Sequence, residues 1–196
     1  MILPAVQGIL RAVSLTCRRA LGLPAQLDTA DRRVLEQIIL PAFAARTTRQ
    51  RLLFVGCAAY TQHYNALFAA HEYWTIDPVA SRRRYGSRRH IIDGLHNLGS
   101  HAEPEFFDVI VCNGVLGWGL NLPEQVDAAF AACHRHLRAG GELVLGWNDV
   151  VPRNKVSPEN VPALKLFRTR NFEPLKTSRF AVPGSNRHVF DFFVKA

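Results

Sequence analysis

The chain has 196 residues, 48% hydrophobic and 20% charged, which fits one compact domain with short additions and excludes wholesale disorder, collagen and coiled coil. No uninterrupted apolar run reaches the roughly 18–20 residues of a membrane helix, and the scattered Cys17, Cys57, Cys112 and Cys133 form no Cys-x-x-Cys pair; integral membrane association, a zinc ribbon and a disulfide scaffold are therefore not expected, and a reducing, cytoplasmic setting is. Of the net charge of +8, residues 1–50 hold seven Arg against three acids, residues 51–150 eight Arg against ten acids, and residues 151–196 nine Lys or Arg against three acids, so the basic residues lie mostly outside the central segment, which argues against nucleic acid as the partner.

In chain order, Ile2, Leu3, Val6, Ile9, Leu10 and Val13 recur at helical spacing with polar residues opposite, and predict an amphipathic helix within the first 27 residues. Arg11 follows the apolar run instead of preceding it, which is the wrong order for a secretory signal. A second helix is expected from Asp28-Thr29, which can cap it. Val34, Leu35, Ile38 and Ile39 form its apolar face, and Pro41 should bend or end it. At Arg51 the pattern changes. Leu52–Val55 reads as a buried parallel strand ending at Gly56. Beyond it come a helix over 62–70, a strand over 72–77, a short helix over 78–85, a strand over 90–93 and a strand over 107–112. A helix follows over 123–137 with Pro123 at its favourable first position; Ala139-Gly140-Gly141 ends it, and a strand covers 142–147. Such alternation argues for an α/β fold: an open parallel sheet with helices on both faces. The C-terminal part differs. A loop over 148–162 and a short helix over 163–169 precede strands over 172–180 and 188–194, an antiparallel hairpin turning at Pro183–Asn186 and closing one sheet edge.

Ligands of open α/β sheets sit at the carboxyl ends of the strands. The residues there are Gly56–Tyr60, Asp77, Asp93, Asn113–Trp118 and Trp147–Asp149. Gly56 lets the backbone turn and approach a ligand. Asp77, 21 residues later, can accept hydrogen bonds from both hydroxyls of a ribose. Asp93 can accept one from an exocyclic amine such as that of adenine. Both acids can instead cap the segments that follow them. The loop Gly56-Cys57-Ala58-Ala59-Tyr60-Thr61 carries one glycine, so it is neither the Gly-x-Gly-x-x-Gly that seats a pyrophosphate nor a P-loop. An adenosine cofactor without phosphates places weaker demands on that loop.

Residues 51–149 resemble the class I S-adenosylmethionine-dependent methyltransferases of the small bacterial, type 11-like kind. The matching pieces are Leu-Leu-Phe-Val-Gly-Cys (52–57), Tyr-Trp-Thr-Ile-Asp-Pro (73–78), His-Ile-Ile-Asp (90–93), Phe-Asp-Val-Ile-Val-Cys-Asn-Gly-Val-Leu (107–116) and Leu-Arg-Ala-Gly-Gly-Glu-Leu-Val-Leu (137–145). The last two, in this order and separation, are the most specific. The resemblance implies a Rossmann-like open parallel sheet, a methyltransferase-like core that the C-terminal hairpin suits (51–196); the N-terminal helices (1–50), whose apolar faces should not stay in water, are expected to cover the site. It implies S-adenosyl-L-methionine as cofactor. Gly56 and Cys57 would meet its methionine end through the backbone, with Ala58 and Tyr60 also cofactor-binding, Asp77 its ribose and Asp93 its adenine amine. Asn113 would face the methionine portion or the acceptor. The first loop departs from the family's Gly-x-Gly-x-Gly: Ala58 and Tyr60 stand at the later glycines.

Methyl transfer from a sulfonium is an in-line displacement, helped by a dry pocket and by aromatic faces that attract the cation. Trp118, Trp147 and Asn148 follow strands four and five and are the expected substrate-side residues, with Tyr60 a further aromatic. His63, His96 and Asp149 lie near enough in sequence to act as a base; none is singled out. Cys133-His134-Arg135-His136 falls on a helix, where adjacent residues diverge, so no metal site is expected. Arg82-Arg83-Arg84 and Arg88-Arg89 around Tyr85 combine charge with an aromatic, the pattern of nucleic-acid contact, although a solvated helix end gives the same pattern. The expected function is methyl transfer to a small molecule. A non-catalytic binding protein on the same fold, and methylation of RNA or protein, are the alternatives.

Overall fold

The computed structural model describes residues 27–151 and 154–196. The helix expected in the first 27 residues lies, but for Leu27, outside the described residues. Thr29 is the extended N-cap of a helical run made of Ala30–Val34, a π-helical segment Leu35–Ile39, and Leu40–Ala44 (together α1). The π turn answers the expectation that Pro41 would end the helix. Proline lacks an N–H, and its ring collides with the carbonyl four residues back in an α-helix. Here the Leu40 N–H reaches back five residues to Leu35, which widens the turn just before Pro41 and lets the helix continue.

Eight strands follow: Arg51–Val55 (β1), Glu72–Ile76 (β2), Arg89–Ile91 (β3), Phe107–Asn113 (β4), Leu137–Asn148 (β5), Phe167–Thr169 (β6), Arg179–Ala181 (β7) and His188–Lys195 (β8). They form one sheet of order β3-β2-β1-β4-β5-β8-β6, with β7 also paired to β8. The first five are parallel, and β8 is antiparallel to β5. β6 pairs with Phe193–Lys195 of β8 and β7 with Val189–Asp191, so the two short strands share its outer edge end to end. The hairpin expected here exists, but its first strand is three residues long, and the helix expected over 163–169 is a 3-10 turn, Pro162–Leu166, leading into β6.

Strand alternation sorts the core into two layers. Leu53, Val55, Ile110, Cys112, Leu143 and Leu145 face α2 (Pro123–His136), which contributes Val126, Ala129, Phe130 and Cys133. Leu52, Phe54, Val109, Val111 and Val144 face Leu35, Ile39, Leu40 and Phe43 of α1. The helices expected over 62–70 and 78–85 shrink to a four-residue helix, Tyr64–Leu67, and a 3-10 turn, Ala80–Tyr85; another 3-10 turn, Leu95–Ser100, follows β3. Ala139-Gly140-Gly141 does not end a helix. α2 stops at His136 and β5 begins at Leu137, with the glycines inside it, where the pairing register with β4 shifts between Phe107 and Val109. No described helix is long and apolar enough to cross a membrane.

Candidate active site

Strand order reverses between β1 and β4, and a cleft of about 930 Å³ lies across the carboxyl ends of the strands there. At one end, over β2 and β3, its wall carries Asp77, Val79, Asp93 and Leu95. At the other, over β4, β5 and β8, it carries Asn113, Trp118, Asn148 and His188. Gly56 to Ala58 and Tyr60 line the middle, and Leu27, Thr29, Asp31 and Arg32 bring the start of α1 to it.

The first loop needs glycine at one position. Gly56 has φ +86°, and a Cβ there would press on Val115 at 3.3 Å. Ala58 is extended (φ −153°) and Tyr60 lies in a 3-10 turn, so neither requires glycine. Thr61 closes the loop: its hydroxyl accepts from the Ala58 N–H and donates to the Ala58 carbonyl. The loop is then tied to β2. The Gly56 N–H donates to the Ile76 carbonyl at 2.8 Å and the Cys57 N–H to Asp77 Oδ2 at 2.8 Å.

Asp77 is 1% exposed. Besides Cys57, its carboxylate accepts from the Val79 N–H on Oδ1 at 2.9 Å and from Arg82 on Oδ2 at 3.2 Å. A carboxylate offers about four lone-pair positions, so with two donors on Oδ2 and one on Oδ1 a single position stays open, on Oδ1. Asp93 accepts from the Gly94 N–H, Asn97 Nδ2 and His101 Nε2 at 2.7, 2.8 and 2.9 Å. The His101 and Asn97 bonds, then the Gly94 bond, hold its carboxyl at about pKa 2. Both acids therefore do cap their own loops, and both line the cleft. β3 ends at Ile91, so Asp93 stands two residues past the strand instead of on it.

α1 is fastened to the first loop by Arg32, which is buried. Its guanidinium lies 4.5 Å over the Tyr60 ring and donates to the Tyr64 hydroxyl, which donates to Glu36 at 2.6 Å. One face of the Tyr60 ring thus already carries a cation.

Two expectations change. Trp147 is not on the cleft wall: it lies in the α2-side core, 3% exposed, and its indole N–H donates to Asp191 at 2.7 Å. Alternation along β5 turns it inward and leaves Asn148, bonded to the Asn186 carbonyl, on the wall. Of the three base candidates, His96 lines the cleft, His63 lies near Glu36 (3.8 Å) and Asp149 pairs with Arg187 (2.8 Å). Trp118 lines the cleft and is 62% exposed. Of the arginines around Tyr85, Arg82 pairs with Asp77, Arg84 lies over Tyr85, and Arg89 meets Glu72 and Trp74.

Sequence reasoning missed His188. It opens β8, which runs antiparallel beside β5, so its start meets the carboxyl ends of the parallel strands. Its Nε2 donates to Asn113 Oδ1 at 3.1 Å, and the residue is 3% exposed. Burial lowers its pKa to about 4 from 6.5; Asp31 raises it and Arg32 lowers it further. The unfolded chain thus takes up this proton at higher pH than the folded one. The fold keeps its full stability above about pH 6.5 and loses roughly 2–3 kcal/mol through this residue as the pH falls toward 4. Urea unfolding at pH 7.5 and pH 4.5 should show that decline in the parent and a smaller one in His188→Asn; equal declines would place the imidazole in solvent.

Residues 53–145 match the family model described as a methyltransferase domain. The N-methyltransferase NodS of Bradyrhizobium japonicum superposes with a TM-score of 0.62 at 17% identity, over 86% of this chain and 97% of its own. The Burkholderia thailandensis 1,6-didemethyltoxoflavin-N1-methyltransferase, solved with 1,6-didemethyltoxoflavin and S-adenosylhomocysteine, gives 0.54 at 17% identity over 100% and 92%. A T. thermophilus 16S rRNA methyltransferase, solved with AdoMet and guanosine, gives 0.54 at 15% identity over 80% of this chain and 38% of its own. No curated protein matches the chain significantly by sequence.

Proposed function

We infer, from a chain that carries a methyltransferase domain across residues 53–145, that it transfers the methyl group of S-adenosylmethionine to a small-molecule acceptor by in-line displacement. The observation that carries this reading is one cleft with two chemically distinct ends: capped acids over β2 and β3, and neutral amides with an imidazole over β4, β5 and β8. Its size suits a nucleoside with a small acceptor beside it. When bound, the cofactor supplies an electrophilic methyl carbon whose bonding pair leaves with sulfur. Asp77 would take the ribose hydroxyls, Asp93 the adenine amine, and Gly56, Cys57, Ala58 and Tyr60 would line the methionine end, with Asn113 at the junction with the acceptor. Trp118 and Asn148 would stand on the acceptor's side. Leu27, Thr29, Asp31 and Arg32 on the cleft wall support the N-terminal helices of residues 1–50 as a cover over the site, and the free, buried thiols of Cys57, Cys112 and Cys133 suit a reducing cytoplasm.

One consequence concerns Arg82. Two ribose hydroxyls need two positions on Asp77, and one is open, so Arg82 must give way. Its pairing is half-exposed and worth at most about 1 kcal/mol. Arg82→Ala should leave S-adenosylhomocysteine affinity unchanged or raise it up to about fivefold. A loss of affinity in calorimetry would show that Arg82 holds the ligand instead.

RNA is the second reading, favoured by the arginines of the 80–89 segment and by the rRNA enzyme among the structural neighbours. Methyl-labelled S-adenosylmethionine incubated with fractionated cell extract separates the two. Label entering the small-molecule fraction, and unchanged in Arg83→Glu/Arg84→Glu/Arg88→Glu, supports the proposal. Label entering RNA, and lost in that variant, overturns it.

A further inference from the structure

Resting on that reading, we propose that His188 is the acceptor-binding residue: its Nδ1 accepts a hydrogen bond from an uncharged N–H or O–H group of the molecule to be methylated. The geometry has three parts. First, Asn113 fixes the ring. An amide oxygen can only accept, so the 3.1 Å contact places the ring hydrogen on Nε2 and the lone pair on Nδ1. Nδ1 takes no hydrogen bond among the described residues, while His188 lines the cleft. Second, the location is the acceptor's. The cleft crosses the strand ends in the order β3, β2, β1, β4, β5, β8. With the nucleoside over β3 and β2 and the sulfur near β1 and β4, the next strands hold what lies beyond the methyl group. Third, the surroundings of the ring are mostly neutral: Asn113, Asn148 and Asn186 share that end of the wall, and the nearby charges, Asp31 and Arg32, are of opposite sign.

This arrangement makes a selective contact. A buried imidazole with low proton affinity offers a lone pair to a donor but does not form an ion pair with a carboxylate or phosphate. It therefore favours neutral aryl amines, ring N–H groups, phenols and similar hydroxyls over anionic acceptors. The hydrogen bond also orients the nucleophile by fixing its N–H or O–H away from the methyl carbon, so that its lone pair can point toward it. As that lone pair bonds to the methyl carbon, the carbon–sulfur pair returns to sulfur. The N–H or O–H proton, made strongly acidic by the new bond, passes to Nδ1 and then to water. A weak base suffices because the proton becomes acidic only during the transfer.

The test uses the full chain saturated with S-adenosylhomocysteine, 15N-labelled at histidine, with phenol, aniline and toluene as probes of equal shape. Phenol and aniline should shift the Nδ1 resonance of His188 and bind more tightly than toluene. In His188→Phe that preference should disappear, with S-adenosylhomocysteine affinity kept within about threefold, less than 1 kcal/mol. A hydrogen found on Nδ1, or an Nδ1 resonance unmoved by phenol and aniline while S-adenosylhomocysteine is bound, overturns the assignment of His188. The parent spectrum alone decides this if the variant does not fold. Failure of S-adenosylhomocysteine to bind the parent at all overturns the methyltransferase reading beneath it.

Discussion

Asp77→Ala should weaken S-adenosylhomocysteine binding by about 2–4 kcal/mol, roughly 30- to 1,000-fold, because hydrogen bonds to a buried charged group are worth about 1.5–3 kcal/mol each. The same substitution should destabilise the empty protein. Asp77 is 1% exposed and receives the N–H groups of Cys57 and Val79. Removing it leaves those donors without their acceptor, at about 1–3 kcal/mol apiece. Asp77→Asn keeps an accepting oxygen and should fall between parent and alanine in both measurements. Calorimetry with a urea titration of each variant separates the two effects. A stable Asp77→Ala protein with parental affinity would show that the carboxylate neither holds the loop nor meets the ligand.

Gly146→Ala should be strongly destabilising. Gly146 lies in β5 between Asn113 of β4 and Phe190 of β8. A Cβ there would collide with Asn113 Oδ1 and come within 2.8 Å of Asn113 Cγ and Phe190 Cε1. Both neighbours are buried, so relief requires either strand separation or loss of the Asn113–His188 hydrogen bond. Overpacking of this kind costs about 3 kcal/mol, a fall in Tm of roughly 6–12 °C for a chain of this size. The companion substitution Asn113→Ala removes the colliding side chain. The double variant should therefore be more stable than Gly146→Ala alone, a non-additivity that marks direct contact. Simple addition of the two losses would place the strain elsewhere.

The parallel half of the fold was legible because its strands are buried on both faces and read as short apolar runs: Leu52–Val55 and Val109–Cys112 face a different helix layer with each alternate residue. The strand ends were legible for the same reason, since Gly56, Asp77 and Asn113 sit where a run stops. What failed was length and facing. Helical spacing at 62–70 and 78–85 does not register that so few of those residues find a surface to cover, so the first keeps one short α-helical turn and the second is a 3-10 turn. Trp147 lies one residue before the strand end, and a one-residue difference in an extended chain exchanges the core for the cleft. His188 gave no local signal. It becomes a site residue only because β8 runs antiparallel and delivers its first residue to the edge where the parallel strands finish. Arg32 likewise lies in the expected second helix, and only the fold shows that it spans Tyr60 and Tyr64.

The acids at 77 and 93, beside a loop that seats no phosphate, are the proposed holders of the cofactor's nucleoside. The measurement that bears on this most directly is a calorimetric comparison of S-adenosylhomocysteine, NAD and ATP on the parent and on Asp77→Ala. The expected result is saturable binding of S-adenosylhomocysteine alone, one per chain, strongly weakened in the variant. Absence of S-adenosylhomocysteine binding at millimolar concentration, or tighter binding of NAD or ATP, would contradict it.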